Sequence, residues 1–263
     1  MDLGLQGKVA IVGAASKGIG RACAQGLAAE GAKVVICSRN QEEIERAASE
    51  IAAATGSEVV PVVADLATAE GVNGFVGTAL ERFGQIDVTI CNTGGPPMGN
   101  FWDVDEQAWR DAFELVQMSA IRLLWATVPG MRERQWGRIL TIQSRSVKEP
   151  LDNLILSNGI RPSVAGIFKS LVADLAKDNI TINTVLPGTI MSARITAGLT
   201  ARAEKAGITF DEVAAQVAAG IPLKRVGTTE EFANAVVFLA SEPARYITGT
   251  VVQVDGGLLH GIF

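Results

Sequence analysis

An α/β fold with a doubly wound, mainly parallel sheet flanked by helices on both faces is predicted by three features of the chain. Residues 9–20, V-A-I-V-G-A-A-S-K-G-I-G, run from four apolar, strand-prone residues into Gly13, Gly18 and Gly20 and on into a helix-compatible stretch. Short apolar strands then alternate with helical patterns to the end of the chain, which implies βαβ units, parallel pairing and right-handed crossovers. No internal repeat, low-complexity tract or linker interrupts the 263 residues, so a single domain over 1–263 is expected.

The first strand leads into a glycine turn of spacing G-x-x-x-G-x-G. Glycine permits the tight turn and, lacking Cβ, lets the backbone approach a ligand. The helix that opens behind it presents free N–H groups and the positive end of its dipole to a pyrophosphate. Residues 33–37 read as the second strand, 41–54 as a helix rich in Glu and Ala, 59–64 as the third strand and 69–83 as a helix. The fourth strand, 88–91, opens into a loop rich in Gly and Pro, 93–100. A long helix is expected over 106–134, bent or ended by Pro129. Residues 138–143 form the fifth strand, 163–177 a helix, 181–186 the sixth strand and 251–254 the last. Segment 189–227 breaks the rhythm, being helical, polar and long between two strands. Ligands of such sheets bind beyond the carboxyl ends of the strands, where the motifs below fall.

Composition excludes several classes. The chain is 48% hydrophobic and 19% charged, with net charge −5 and no basic run, which argues against a nucleic-acid surface. No secretory leader is visible at the N-terminus, and no apolar stretch approaches the ~20 residues that span a bilayer. Cys23, Cys37 and Cys91 are odd in number and sit in strand or helix contexts, as small buried hydrophobes. With one histidine, His260, no His/Cys metal site is expected. A reduced, cytoplasmic setting is the expectation.

At the end of the second strand an NAD-selective site carries an acid for the ribose 2′-hydroxyl. Here the chain reads Cys37-Ser38-Arg39-Asn40. The fork of Arg39 suits a 2′-phosphate, and Lys17 in the glycine turn adds a second cation, so NADP(H) is favoured over NAD(H). The bland alternative for Arg39 is a solvated charge ahead of a helix.

The glycine turn, Asp65-Leu66 after the third strand, Cys91-Asn92-Thr93-Gly94-Gly95 after the fourth, Pro187-Gly188-Thr189-Ile190 after the sixth, and the run from Leu239 through Gly249 to Val254-Asp255-Gly256-Gly257 occur in the order of one family. Together they resemble the short-chain dehydrogenase/reductase (SDR) family, of Rossmann type, over nearly the whole chain, and most of all its 3-oxoacyl-acyl-carrier-protein reductase-like members. The resemblance implies a dinucleotide site made from Gly13, Ser16, Lys17, Gly18, Ile19, Gly20, Asp65, Leu66, Asn92, Gly94, Pro187, Gly188 and Thr189. Asn92 has two open roles, holding the sheet or touching the ribose, and Thr189 and Ser192 are candidate donors to the carboxamide or phosphates. It also implies that 189–227 is a mobile lid, and that the long helices assemble a homotetramer or homodimer.

The family's Asn–Ser–Tyr–Lys set is only partly present. Ser144 stands at the serine position, but Ser157-Asn158-Gly159-Ile160-Arg161 replaces Tyr-x-x-x-Lys, and counting along the long helix puts Val116 at the asparagine position. A tyrosine near pKa ~10 can be tuned towards neutrality, whereas a serine hydroxyl is a far weaker acid and Arg161 stays charged. Arg161 can hold ribose hydroxyls, and Ser144 and Ser157 can donate hydrogen bonds to a carbonyl oxygen. The proton then comes from water or another side chain. Lys148 is one candidate, if the pocket depresses its pKa, with a solvated loop lysine as the alternative. His260 reaching a partner's pocket is another. Tyr246, the one tyrosine, is expected to pack. Arg145, Lys148 and Arg161 lie around the catalytic loop and, if two of them face the pocket, point to a substrate carrying a carboxylate or phosphate, while the resemblance implies a 3-oxoacyl thioester. Met98, Phe101, Trp102 and Met191 would supply apolar walls.

The leading reading is an NADP(H)-dependent oxidoreductase interconverting a carbonyl and an alcohol on a small molecule, with no nucleic-acid or membrane partner. Its rivals are a non-catalytic nucleotide-binding or regulatory protein, and a cofactor-independent lyase resembling halohydrin dehalogenases. Those dehalogenases carry arginine for the lysine but keep the tyrosine and lose the nucleotide site, so the glycine turn and Ser157 count against the last.

Overall fold

The computed structural model describes residues 1–261, with Arg194 described by its backbone only. Seven strands, β1 (Val9–Val12), β2 (Lys33–Ser38), β3 (Val59–Val63), β4 (Val88–Cys91), β5 (Gly137–Ile142), β6 (Ile180–Pro187) and β7 (Val251–Val254), form one sheet. Their order is β3-β2-β1-β4-β5-β6-β7, and every pair is parallel, so the mainly parallel expectation resolves to a wholly parallel sheet. β1, β4 and β5 are buried along their whole length. That is why they read as unbroken apolar runs rather than alternating ones.

Alternation appears instead in which face each residue serves. Ala10 and Val12 of β1 pack with α1 (Gly18–Ala29), α2 (Gln41–Thr55) and a helix near the C-terminus, whereas Ile11 between them packs with α3 (Ala69–Phe83) on the other face. α2 and α3 start on side-chain caps from Asn40 and Thr68 and stop at Gly56 and Gly84, both in the left-handed region. The strand order reverses between β1 and β4, and the crevice beyond their carboxyl ends is where such folds place a ligand.

The expected helix over 106–134 divides into α4 (Glu106–Ala112), a six-residue π segment (Phe113–Met118) and α5 (Ser119–Arg134). Pro129 lies inside α5 and does not end it. Pro129 and Trp125 are both exposed, so the turn whose hydrogen bond the proline removes faces water. The helix expected over 163–177 begins eight residues earlier, as α6 (Ile155–Ser170) with Pro162 inside, and is followed by α7 (Val172–Ala176). Ser157, Asn158 and Arg161 therefore stand on its first two turns. Segment 189–227 holds α8 (Ala193–Ala206) and α9 (Phe210–Ala219), packed together around Leu199, Ala203 and Val213. Its two ends are tied by Met191 N–H to Gly227 O (2.8 Å) and Gly227 N–H to Thr189 O (3.0 Å). The sequence reading passed over α10 (Thr229–Leu239), although Thr228 and Glu231 form the capping box that announces it. α10 packs on α1 across the face that holds Phe232 and Val236.

Where β6 leaves the sheet, a Cβ on Gly188 would lie 2.4 Å from Asp255 Cα and 3.0 Å from Asp255 O. Both are backbone atoms of the neighbouring chain segment and cannot step aside cheaply. Gly188→Ala is expected to destabilise by about 1–3 kcal/mol through overpacking. An unchanged urea midpoint would show that β6 and β7 can separate at no cost.

Candidate active site

The turn between β1 and α1 is built around Asn92. Its Nδ2 donates to Gly13 O at 2.9 Å and reaches Ala14 O at 3.4 Å. A Cβ on Gly13 would stand 2.4 Å from Asn92 O and 2.8 Å from Leu66 Cδ1, and one on Gly20 would stand 2.5 Å from Ala14 O. Gly13 and Gly20 are thus demanded by the turn's own packing, and Asn92 is observed in the first of its two open roles. Leu66 is buried beneath Gly13, and the Asp65 carboxylate accepts from Ala67 N–H at 3.0 Å. Gly94 and Thr93 line the next turn, and Gly94 is exposed.

α1 differs from most of its neighbours at its start. Lys17 is its N-cap residue and offers no side-chain cap, whereas Asn40, Thr68, Asp105, Ser192, Thr209 and Thr228 cap theirs. The first-turn N–H groups of Gly18, Ile19 and Gly20 are thus left without a side-chain acceptor, which fits an anion. This is the observation on which the residues present suit a dinucleotide pyrophosphate.

Beside this turn the structure places an acid that sequence reasoning missed. Glu43, in the first turn of α2, accepts from Lys17 Nζ at 3.2 Å and from Ser16 Oγ at 3.3 Å. The hydrogen bond and charge of Lys17 hold the Glu43 carboxyl below the usual carboxylate range. The acid sought at the end of β2 is absent there, where Arg39 is exposed, but Glu43 arrives from five residues past Ser38. The available signal was Asn40-x-x-Glu43, a capping pattern that directs the N3 side chain back towards the helix start.

At the ends of β5 and α6 the substituted positions converge. Ser144 is half-buried, and its Oγ accepts from Ser146 N–H at 3.2 Å, capping the short turn Arg145–Val147. Ser157 is buried, and its hydroxyl meets Ser146 Oγ at 3.0 Å, so its hydroxyl partner is Ser146, which sequence reasoning passed over. Asn158 clamps the loop before α6, accepting from Leu151 N–H at 3.0 Å and donating to Leu151 O at 2.8 Å. Arg161 is buried and donates to Gln143 Oε1 at 3.1 Å. Val116 is buried in the π segment, a backbone form that recurs near functional sites.

Of the other expected roles, those of Tyr246 and the apolar walls need correction. Lys148 is exposed, in keeping with its alternative as a solvated loop lysine. Arg145 pairs with Glu149 at 3.0 Å, which offsets one of the three loop cations. Tyr246 is 98% exposed among the described residues, so the expected packing role is not seen: the turn before β7 points it outward. His260 is exposed. Of the four proposed apolar walls, Met98, Phe101 and Trp102 are exposed on the loop after β4, with Phe101 and Trp102 edge to face at 4.8 Å. Met191 packs instead against the α8–α9 cluster. Pro187, Gly188 and Thr189 are half-buried at the end of β6, and Ser192 caps α8. Burial pushes the thiols of Cys23, Cys37 and Cys91 up to about 12, so none is a nucleophile at neutral pH. Among the described residues no cluster of His, Cys, Asp or Glu could hold a metal ion, and no helix is long and apolar enough to cross a membrane.

A wholly parallel sheet with a glycine turn at its switch point defines the class of Rossmann-type dinucleotide folds, and the chain belongs to the short-chain dehydrogenase/reductase family. The family model described as enoyl-(acyl carrier protein) reductase matches residues 13–259. The chain is 34% identical over 258 residues to dehydrogenase/reductase SDR family member 4 of Bos taurus, covering 97% of this chain and 88% of that one. It is likewise 34% identical over 258 residues to 3-oxoacyl-acyl-carrier-protein reductase of Escherichia coli, with 97% and 99% covered. The structure of L-sorbose reductase from Gluconobacter frateurii, complexed with NADPH and L-sorbose, superposes with a TM-score of 0.96 at 34% identity, covering both chains fully.

Proposed function

We propose that the protein is an NADP(H)-dependent oxidoreductase that interconverts a carbonyl and an alcohol on a small molecule, with an altered means of proton delivery. The observation that carries this reading is the α1 start, with first-turn N–H groups free of a side-chain cap, with Lys17 as its N-cap residue and with the exposed Arg39 directly after β2. The bound nicotinamide would supply the hydride. In this reading Gly13, Ser16, Lys17, Gly18, Ile19 and Gly20 hold the pyrophosphate, and Lys17 and Arg39 hold the 2′-phosphate. Asp65, Leu66, Asn92 and Gly94 border the adenosine half, and Pro187, Gly188 and Thr189 border the nicotinamide. Arg161 holds the ribose and lends a positive field. Ser144 and Ser157 polarise the substrate oxygen, with Ser146 orienting Ser157, and water delivers the proton, because a serine hydroxyl is too weak an acid to do so. The helical pair α8–α9 closes over the substrate as a lid. Arg161 and the loop after β5 favour an acidic substrate or a 3-oxoacyl thioester. Trp125 on α5 and Phe113 in the π segment are exposed and suit assembly of a homodimer or homotetramer through the long helix.

The non-catalytic reading keeps one specific support. Ser157 and Arg161, and Asn158 between them, each bond to the segment 142–151, so both substituted positions on α6 also act as internal ties.

Fluorescence titration with NADPH and NADH, without substrate, tests the cofactor assignment. NADPH is expected to bind more tightly than NADH. Glu43→Gln is expected to tighten NADPH by about 3- to 10-fold while changing NADH less, because the carboxylate competes with a phosphate for Lys17. The pair is exposed, so the gain is limited to the modest worth of a surface ion pair plus relief of like-charge repulsion. Failure of both nucleotides to bind would end the oxidoreductase reading.

A further inference from the structure

We propose that Gln143 is a positioning residue that, through Thr141, anchors the guanidinium of Arg161 to the carboxyl end of β4. This rests on the reading that Arg161 serves the nicotinamide ribose. Thr141 is fully buried within β5, and Gln143 follows the end of that strand with 6% of its surface exposed. Arg161 Nη1 donates to Gln143 Oε1 at 3.1 Å, and to Ile142 O at a longer 3.5 Å. Gln143 Nε2 donates to Thr141 Oγ1 at 2.6 Å, and Thr141 Oγ1 donates to Cys91 O at 3.3 Å.

Chemistry gives this chain one direction. A guanidinium only donates, so the amide oxygen of Gln143 must face it. The amide nitrogen then faces Thr141 and donates, so the threonine hydroxyl accepts and sends its own proton to the Cys91 carbonyl. Reversing any member would set two donors or two acceptors against each other. In a buried setting such a chain is strong when complete and costly when cut. Arg161 makes at least one further interaction besides these, so Gln143 sets its orientation rather than holding it alone.

The substitutions at the site acquire a common cause. A lysine at 161 would present one compact ammonium that needs no fixed plane, whereas a planar fork is useful only when its plane is set. A glutamine at 143 has the length and the two-sided amide to set it. Its side chain crosses from the end of β5 to the second turn of α6, a span no small residue covers.

The test measures NADPH binding by fluorescence titration, with thermal unfolding as a check on the fold, in Gln143→Leu, Gln143→Glu, Thr141→Val and Arg161→Met. Gln143→Leu is expected to weaken NADPH binding by about 3- to 10-fold, and Gln143→Glu to restore it to about the level of Thr141→Val, because a carboxylate still accepts from the guanidinium but cannot donate to Thr141. A purely structural role would not be rescued by the acid. Thr141→Val, which keeps the shape but cuts the tail of the chain, is expected to weaken binding by about 2- to 3-fold, and it carries the test if Gln143→Leu does not fold. If Arg161→Met weakens NADPH and neither Gln143→Leu nor Thr141→Val does, the anchoring is refuted and the ribose reading stands. If Arg161→Met leaves NADPH binding unchanged, both are overturned.

Discussion

Replacing Arg161 by methionine is expected to weaken NADPH binding about 10- to 100-fold, the loss of hydrogen bonds from a charged donor worth roughly 1.5–3 kcal/mol. The side chain is 7% exposed on the second turn of α6, beside the carboxyl end of β5. A buried guanidinium stays protonated and is tolerated only where acceptors surround it, and Gln143 Oε1 and Ile142 O supply two. Methionine keeps the stem's packing while deleting the charge, so the comparison isolates what the guanidinium does. Arg161→Lys is expected to fall between the two, since an ammonium keeps charge but not the fork. Equal NADPH dissociation constants for the native protein and Arg161→Met, both folded, would remove Arg161 from the cofactor site and strengthen the reading in which it is only an internal tie.

The parts of this protein that were legible in its sequence are those set by short-range rules. β4, β7 and α3 fall on their expected residues, because an apolar run between turn signals, or a cap followed sixteen residues later by Gly84, is local information. Pro129 is a local stop signal, overridden where the broken turn faces water, and α5 continues past it to Arg134. The start of α6 lies eight residues ahead of the expected one, because Ser157, Asn158 and Arg161 tie its early turns to the loop before it. The substitution of the tyrosine and lysine positions was visible, but its consequences were not. Ser146 and Gln143 matter because a helix returning from a loop brings Ser157 and Arg161 to them, and Glu43 matters because α2 folds back over the glycine turn. No spacing along the chain carries the meetings at Ser146 and Gln143, and Asn40-x-x-Glu43 gives only the direction of the Glu43 side chain. The glycines show the reverse case. They were read for a ligand's sake, and Gly13 and Gly20 prove to be required by Asn92 and Ala14 before any ligand arrives.

Arg138 is the residue whose loss should cost the fold most. It lies near the start of β5, an inner strand of the sheet, and is fully buried. The structure gives the charge a complete set of acceptors: Gly137 O at 2.8 Å, Asn179 O at 3.2 Å, Ser241 O at 3.4 Å and Glu242 Oε2 at 3.0 Å. Its guanidinium carbon also stands 4.3 Å from the centre of the Trp136 ring, and Lys8 lies over the same ring at 3.9 Å. Trp136 Nε1 donates to the same Glu242 oxygen at 3.1 Å, so one carboxylate joins β5 to the C-terminal segment after α10. Arg138→Ala leaves three carbonyls and this carboxylate short of a donor and opens a cavity, for an expected loss of about 3–5 kcal/mol. Arg138→Met fills the space and should cost less. The same carboxylate predicts a pH dependence. Burial alone would raise the pKa of Glu242, but hydrogen bonds from Trp136 and Arg245 and the charges of Arg138 and Arg245 outweigh it and hold it below its ordinary 4.5. A group whose folded pKa is depressed stabilises above its unfolded value and loses that contribution as pH falls through the folded one. The native protein should therefore lose stability below about pH 4.5 partly through Glu242, and Arg138→Met should lose less of it there. Urea midpoints at pH 7 and pH 4 for the native protein and both variants measure this, and a loss under 1 kcal/mol for Arg138→Ala at pH 7 would show that water reaches these carbonyls and that the buried charge is not what joins the two segments.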